Sequence, residues 1–117
     1  MRLLESNMLV VGIGIDAVTQ ASREHIAELA TKHRLPAIYA SREFVDAGGL
    51  MTYGVSYPQL YFRAASLVDK ILKGTKPGDI PVQQPTKLEL VINLKFAKAI
   101  GIDLPATILQ RADEVIE

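Results

Sequence analysis

The run Met8-Leu9-Val10-Val11-Gly12-Ile13-Gly14-Ile15 is apolar throughout, rich in β-branched residues, and stopped abruptly by Asp16. A stretch this short, bounded by polar turn residues, fits a strand buried on both faces, which is the signature of a central strand in a parallel sheet. Beyond Asp16 the period changes. Thr19 or Ser22 can cap a helix in which Ile26, Leu29, Ala30 and His33 recur at helical spacing, with Arg23, Glu24, Glu28 and Lys32 on the opposite side. That helix should stop near Arg34, before Leu35-Pro36. A strand feeding a helix that returns to another strand limits the chain to α/β architectures.

The rest of the sequence repeats the alternation. Pro36–Ala40 reads as a second strand, and Ser41–Ala47 as a polar loop or single helical turn leading into Gly48-Gly49. Leu50–Val55 reads as a third strand interrupted by Gly54. Ser56 and Pro58 then open a helix whose apolar face holds Tyr57, Leu60, Tyr61, Ala64, Leu67, Val68, Ile71 and Leu72, with Gly74 as its natural C-terminal residue. Thr75–Pro85 is proline-rich and predicts a surface connection, a hinge candidate, with an extended piece at Ile80–Gln83. Thr86–Ile92 alternates as a strand does, Asn93 caps a helix through Ile100 closed by Gly101, and Pro105 begins a last helix buried through Ile108, Leu109, Ala112, Val115 and Ile116. Parallel pairing with right-handed crossovers is the simplest topology for this order. The predicted fold is a single Rossmann-like α/β domain over residues 1–117, a three-layer sandwich with a mostly parallel sheet.

Composition narrows the functions. Thirteen basic residues balance thirteen acidic ones with no block of either sign, so nothing predicts binding to nucleic acid or an anionic membrane. Cysteine is absent, which removes disulfides, thiolate nucleophiles and cysteine-based metal sites. His25 and His33 have no further His or Cys to complete a metal site with them, so no metal and no cofactor is expected. The segment Met1–Asn7 carries Glu5 and polar residues where an export signal needs an apolar stretch, and no run reaches membrane-spanning length. As given, the chain is expected to be soluble and not exported.

Among the motifs, Gly12-x-Gly14-x-x-Ala17 imitates a dinucleotide fingerprint. Ile13 and Ile15 continue the apolar run through it, however, and the second strand ends in Ala40-Ser41-Arg42 with no acidic residue for a ribose. A small nucleotide-binding protein stays a lesser alternative. Ser41, Arg42 and Glu43 lack an oriented histidine and favour a solvated loop or ligand contact over catalysis. Asp16 stands where the first strand runs out, the end of an open parallel sheet at which ligands collect, and can cap a helix, face a ligand ammonium, or do both. Thr52 and Tyr53, beside Gly54, offer a hydroxyl, a ring and accessible backbone to a cleft, or pack within the sheet.

The order of several segments is familiar: Leu35-Pro36-Ala37-Ile38-Tyr39, Arg42-Glu43-Phe44-Val45, Gly48-Gly49-Leu50-Met51-Thr52-Tyr53-Gly54, Ile71-Leu72-Lys73-Gly74-x-Lys76-Pro77, Asp79-Ile80-Pro81-Val82-x-Gln84-Pro85-Thr86-Lys87, Glu89-Leu90-Val91-Ile92-Asn93-Leu94-Lys95, and Arg111 to Glu117. From Met8 onward the chain resembles the C-terminal part of ABC-transporter substrate-binding proteins of the kind that look like tryptophan and tyrosine receptors. The resemblance implies part of a type I periplasmic-binding fold, in which two α/β lobes close by hinge motion on a small, amino-acid-like molecule and no catalysis occurs. By that carry-over Asp16 meets an amino group, Thr52 and Tyr53 supply hydroxyl and aromatic contacts, and Gly54 ends a segment, Gly49–Gly54, that crosses between lobes near the ligand. Ser41 and Arg42, read above as loop or ligand contact, complete the candidate ligand-binding set. The family often has serine at the position of Thr52. The resemblance further implies a permease partner and a periplasmic or extracytoplasmic location, whereas the chain expressed alone would be cytoplasmic. Because such proteins carry an N-terminal lobe, the helix Pro58–Lys73 is expected to expose its apolar face and pair two chains as a homodimer. A structural or regulatory homodimer that has lost the ligand is the alternative.

Overall fold

A computed structural model describes residues 10–117. Its sheet is built from β1 (Val11–Ile13), β2 (Ala37–Tyr39), β3 (Met51–Val55), β4 (Leu88–Asn93) and β5 (Glu114–Ile116), lying side by side in that order. The strands β1, β2 and β3 run parallel, β4 runs against β3, and β5 is parallel to β4. The first strand therefore ends the sheet among the described residues. It was expected at the centre and buried on both faces, but Gly12 is exposed and Val11 and Ile13 are half-buried. Met8 and Leu9 of the same run lie outside the described residues.

The helices are α1 (Ala17–Ala21), α2 (Arg23–Lys32), α3 (Arg42–Asp46), α4 (Tyr57–Leu72), α5 (Leu94–Ile100) and α6 (Ala106–Leu109). Ser22 splits the first expected helix in two: it closes α1 through its backbone N–H to Val18 and opens α2 through its carbonyl to Ile26. Register puts Val11, Ala37, Tyr39, Thr52 and Val91 on one face of the sheet. On that face Ala30 of α2 and Phe44 of α3 pack with Ala37 and Tyr39, and Phe96, Ala97 and Ile100 of α5 join the same cluster. Tyr39 and Phe44 stack with ring centroids 4.8 Å apart. Burying an aromatic or large aliphatic side chain completely is worth about 1.5–3 kcal/mol, and Tyr39, Phe44, Val45, Val91 and Ile92 are all buried to that degree. The ring of Tyr39 fits because a Cβ at Gly49 would lie 2.5 Å from its Cε2. Against the opposite face, Ile102, Leu104, Pro105 and Ile108 border an apolar groove with Ile38 and Met51.

Two further expectations differ from the structure. Parallel pairing fails at β3 and β4 because no helix between them crosses the sheet. The chain leaves through α4 and comes straight back, with one 3-10 turn at Pro77–Asp79, so β3 and β4 are the two sides of a long hairpin. The last helix ends at Leu109, and Val115 and Ile116 form β5 instead. Asp113 starts that pairing, its carboxylate accepting from the Leu90 N–H at 2.9 Å while its own N–H donates to the Leu90 carbonyl at 2.8 Å. The β-branched Val115 and Ile116 then continue the ladder against β4.

The arm made by α4 dominates the shape. None of its residues is buried, and Tyr61, Phe62 and Leu72 are 76%, 83% and 81% exposed. Only its foot is tied down, by Gln59 donating to Glu89 at 2.9 Å and Arg63 donating to Gln83 at 3.2 Å. The radius of gyration is 17.8 Å, with extents of 57 × 31 × 27 Å, against about 13 Å for a compact domain of this length. The exposed helix face expected from the sequence is present.

Candidate functional site

The strands β2 and β3 both end toward the foot of α4, and between α3, β3, β4 and that foot lies a cavity of about 550 Å³. Its floor is the face of the sheet carrying Thr52, Gly54, Glu89 and Val91, all set by the β3–β4 register. One wall is Arg42, Glu43 and Asp46 of α3, the other Ser56, Tyr57 and Gln59 where α4 begins. Arg42, Thr52 and Gly54, named from the sequence, thus meet in one cavity.

Each is placed by a local cause. Arg42 reaches from α3 to β5, its Nη2 donating to Glu114 at 2.8 Å and its Nη1 to the second carboxylate oxygen, and its Nε lies 3.6 Å from Asp46. The fork-shaped pair with Glu114 raises the guanidinium further above its ordinary value and holds the Glu114 carboxyl below the usual carboxylate range. Gly54 is glycine because the β2–β3 crossing leaves no room: a Cβ there would strike the carbonyl of Ala40. Thr52 is 3% exposed, and its Oγ1 has no hydrogen-bond partner. Tyr39, in register beside it, shares the condition, and burial raises the pKa of its phenol. Unpartnered buried hydroxyls are uncommon and each costs stability.

The remaining sequence-derived residues lie elsewhere. Ser41 is buried beneath the wall, where its hydroxyl donates to Glu43 at 2.5 Å and so cannot cap α3. That bond, then the backbone N–H of Glu43 itself, then Gln20, hold the Glu43 carboxyl below its usual range. Tyr53 points to the other face of the sheet, 55% exposed opposite Leu90, and does not line the cavity. Asp16 caps α1, accepting from the N–H groups of Val18 at 2.7 Å and Thr19 at 2.9 Å, while the Thr19 hydroxyl accepts from the Asp16 N–H in return. It stands at the end of β1, outside the cavity lining. Gly12 lies within β1 and Gly14 just after it, and a Cβ on either would meet nothing within 4 Å.

Sequence reasoning missed Gln59 and Glu89, whose hydrogen bond closes the cavity toward α4. The alternation of β4 had put Glu89 on a polar face, but only the antiparallel register, setting Glu89 beside Gly54, shows what that face adjoins. With Glu43, Asp46 and Glu89 against Arg42, the lining is richer in acid than in base. Among the described residues no group of three His, Asp or Glu side chains could hold a metal ion, and no helix is long and apolar enough to cross a membrane.

These elements define a Rossmann-like α/β unit with an exposed helical arm and a cavity of mixed lining at its foot. The chain belongs to the ABC transporter substrate binding protein family, whose model matches residues 1–116. It is 29% identical over 93 residues to a tyrosine-binding protein of Clostridioides difficile, covering 80% of this chain and 27% of that protein. Among solved structures, a conserved domain protein from Vibrio cholerae superposes with a TM-score of 0.84 at 30% identity, over 91% of this chain and 36% of the other. An ABC domain from Streptococcus pneumonia in complex with L-Trp gives 0.84 at 25% identity, over 97% of this chain and 39% of the other. The chain thus spans between 27% and 39% of the length of these relatives.

Proposed function

We propose that this chain forms one side of a small-molecule cleft in an ABC-transport receptor and takes an amino-acid-like ligand by hinge closure, handing it to a permease outside the cytoplasm. The observation that carries the reading is the cavity at the β3–α4 junction, a mixed lining of hydroxyl, guanidinium, carboxylates and open backbone in a unit that superposes on an L-Trp-bound domain at a TM-score of 0.84. Small-molecule sites favour such junctions, with few polar groups fixing orientation. In this reading Asp16 meets the ligand's ammonium, Thr52 and Gly54 supply a hydroxyl and backbone, and Arg42 and Ser41 shape the wall.

Thermal melting with L-tryptophan, L-tyrosine and the remaining amino acids tests the proposal. A ligand that binds only the folded state raises Tm in proportion to the logarithm of its concentration. No shift with any amino acid at millimolar concentration sinks the reading.

The exposed face of α4 favours a second reading, in which two copies pair through Tyr61, Val68 and Leu72, 76%, 52% and 81% exposed. Sedimentation velocity decides it: a dimer at micromolar concentration supports the pairing, and a monomer removes it.

A further inference from the structure

The helix that carries the Asp16 cap has almost nothing to hold it. No residue of α1 is buried, Val18 is 75% exposed, and the main packing partner of α1 is α2. One side chain reaches further. The side-chain oxygen of Gln20 lies 3.4 Å from the Ser41 hydroxyl, and Gln20 helps to hold below its usual range the Glu43 carboxyl, which accepts from Ser41 at 2.5 Å. Ser41 is 2% exposed at the N-terminal end of α3, so it is a fixed point in the body of the fold. Arg23, the first residue of α2, fastens the other side by donating from Nη1 to the Gln20 carbonyl at 3.1 Å. The main chain and side chain of Gln20 therefore link three elements: α1, α2 and the turn between β2 and α3.

We infer that Gln20 is a positioning residue, whose bridge to Ser41 and Glu43 sets where α1, and with it Asp16, stands relative to the wall that carries Arg42. A five-residue helix with no fully buried side chain has little packing energy to define its position. Its place is fixed by chain continuity with α2 and by this polar contact. Without the contact, α1 keeps its cap, because Asp16, Thr19 and Gly14 bond only within their own segment. It loses its reference to α3. The consequence for ligand affinity rests on the function proposed above, but the mechanical claim does not.

Amide hydrogen exchange on the full chain tests it, read at Gln20 and Ser22, whose N–H groups donate to the carbonyls of Asp16 and Val18. Gln20→Leu should speed exchange there by about fivefold, the size expected for losing one hydrogen-bonded contact, while the amides of Val91 and Ile92 in β4 keep their protection. Gln20→Glu supplies the readout that a packing role would not give. Its new carboxylate faces Glu43, with Arg23 and Glu24 on α2 and Asp46 on α3 around the same hollow. Protection of α1 in that variant should be lost at neutral pH, where both carboxylates are charged, and regained as the pH is lowered far enough for one of the two to take a proton and the bridge to re-form. Wild-type exchange in Gln20→Leu, or a pH-independent profile in Gln20→Glu, overturns the inference. Titration with L-tryptophan separates the two claims. If the wild type fails to bind, the proposed function falls while the exchange pattern still judges Gln20. If the wild type binds, Gln20→Leu should weaken the affinity, and unchanged affinity refutes the role for the wall.

Discussion

Replacing Thr52 by valine should make this protein more stable. Thr52 is 3% exposed on the floor of the cavity, and its Oγ1 has neither a hydrogen-bond partner nor measurable contact with solvent. A buried polar group left unpaired costs about 1–3 kcal/mol. Valine removes the hydroxyl, substitutes a methyl group of similar size, and keeps the β-branched shape that strands favour. Taking the low end, because the added methyl must be accommodated beside Val91 and Tyr39, the gain is about 1 kcal/mol. For a domain of this length that raises Tm by about 4 °C and the urea midpoint by about 0.5–1 M at unchanged slope. Urea unfolding followed by circular dichroism measures both, with Thr52→Ser as the control that keeps the hydroxyl and loses the methyl. If Thr52→Val unfolds at lower urea than the wild type, the hydroxyl has a partner in solution and the reasoning fails.

Gly54→Ala should cost about 1–3 kcal/mol by overpacking, since its methyl would press on the Ala40 carbonyl across the parallel β2–β3 pair, and a urea melt would record it. Asp16→Asn keeps an acceptor for the N–H groups of Val18 and Thr19 but drops the charge, so the melt should change by only a few tenths of a kcal/mol while affinity for an amino acid falls; unchanged affinity removes Asp16 from the site. Glu43 has its pKa held below the ordinary 4.5 by Ser41, so the ionised form stabilises the fold above that value and the contribution disappears as pH falls through the lowered pKa. Glu43→Gln should therefore flatten the acid limb of a stability profile, and an unchanged limb would place the sensitive group elsewhere. Leu72→Gln should leave the urea midpoint within about 0.5 kcal/mol of wild type, as for any surface change, because Leu72 is 81% exposed.

The parts of this fold that were legible in the sequence are those fixed by local chemistry. Asn93 accepts from the Phe96 N–H at 3.0 Å and Gly101 adopts φ 77°, so both ends of α5 are written in single residues. The same holds for α4, where Ser56 and Pro58 mark the start and a left-handed Gly74 the end. The errors arose where the deciding partner is remote. Val115 and Ile116 continue an apolar helical stripe by spacing alone, yet the open edge of β4 and the grip of Asp113 on Leu90 draw them into a strand. The direction of β4 depends on where the chain goes between Val55 and Leu88, which periodicity within either strand does not encode. At the cavity, Thr52 and Gly54 fall two apart on one strand and so share a face, while Tyr53 between them was bound to take the other. Gln59 and Glu89 escaped notice because they meet across 30 positions of sequence.

The sixteen residues of α4 make a rod ~24 Å long, fixed at one end only. Swinging such a rod by ~10° about Val55 and Ser56 carries its tip ~4 Å. Sliding is blocked, since five paired positions from Met51–Ile92 to Val55–Leu88 hold the two limbs of the hairpin in step. In the receptor proposed above, rotation is the motion left to the arm, with the cavity at its fulcrum, and a ligand that shifted Gln59 against Glu89 would work the short side of a lever whose long side ends at Leu72.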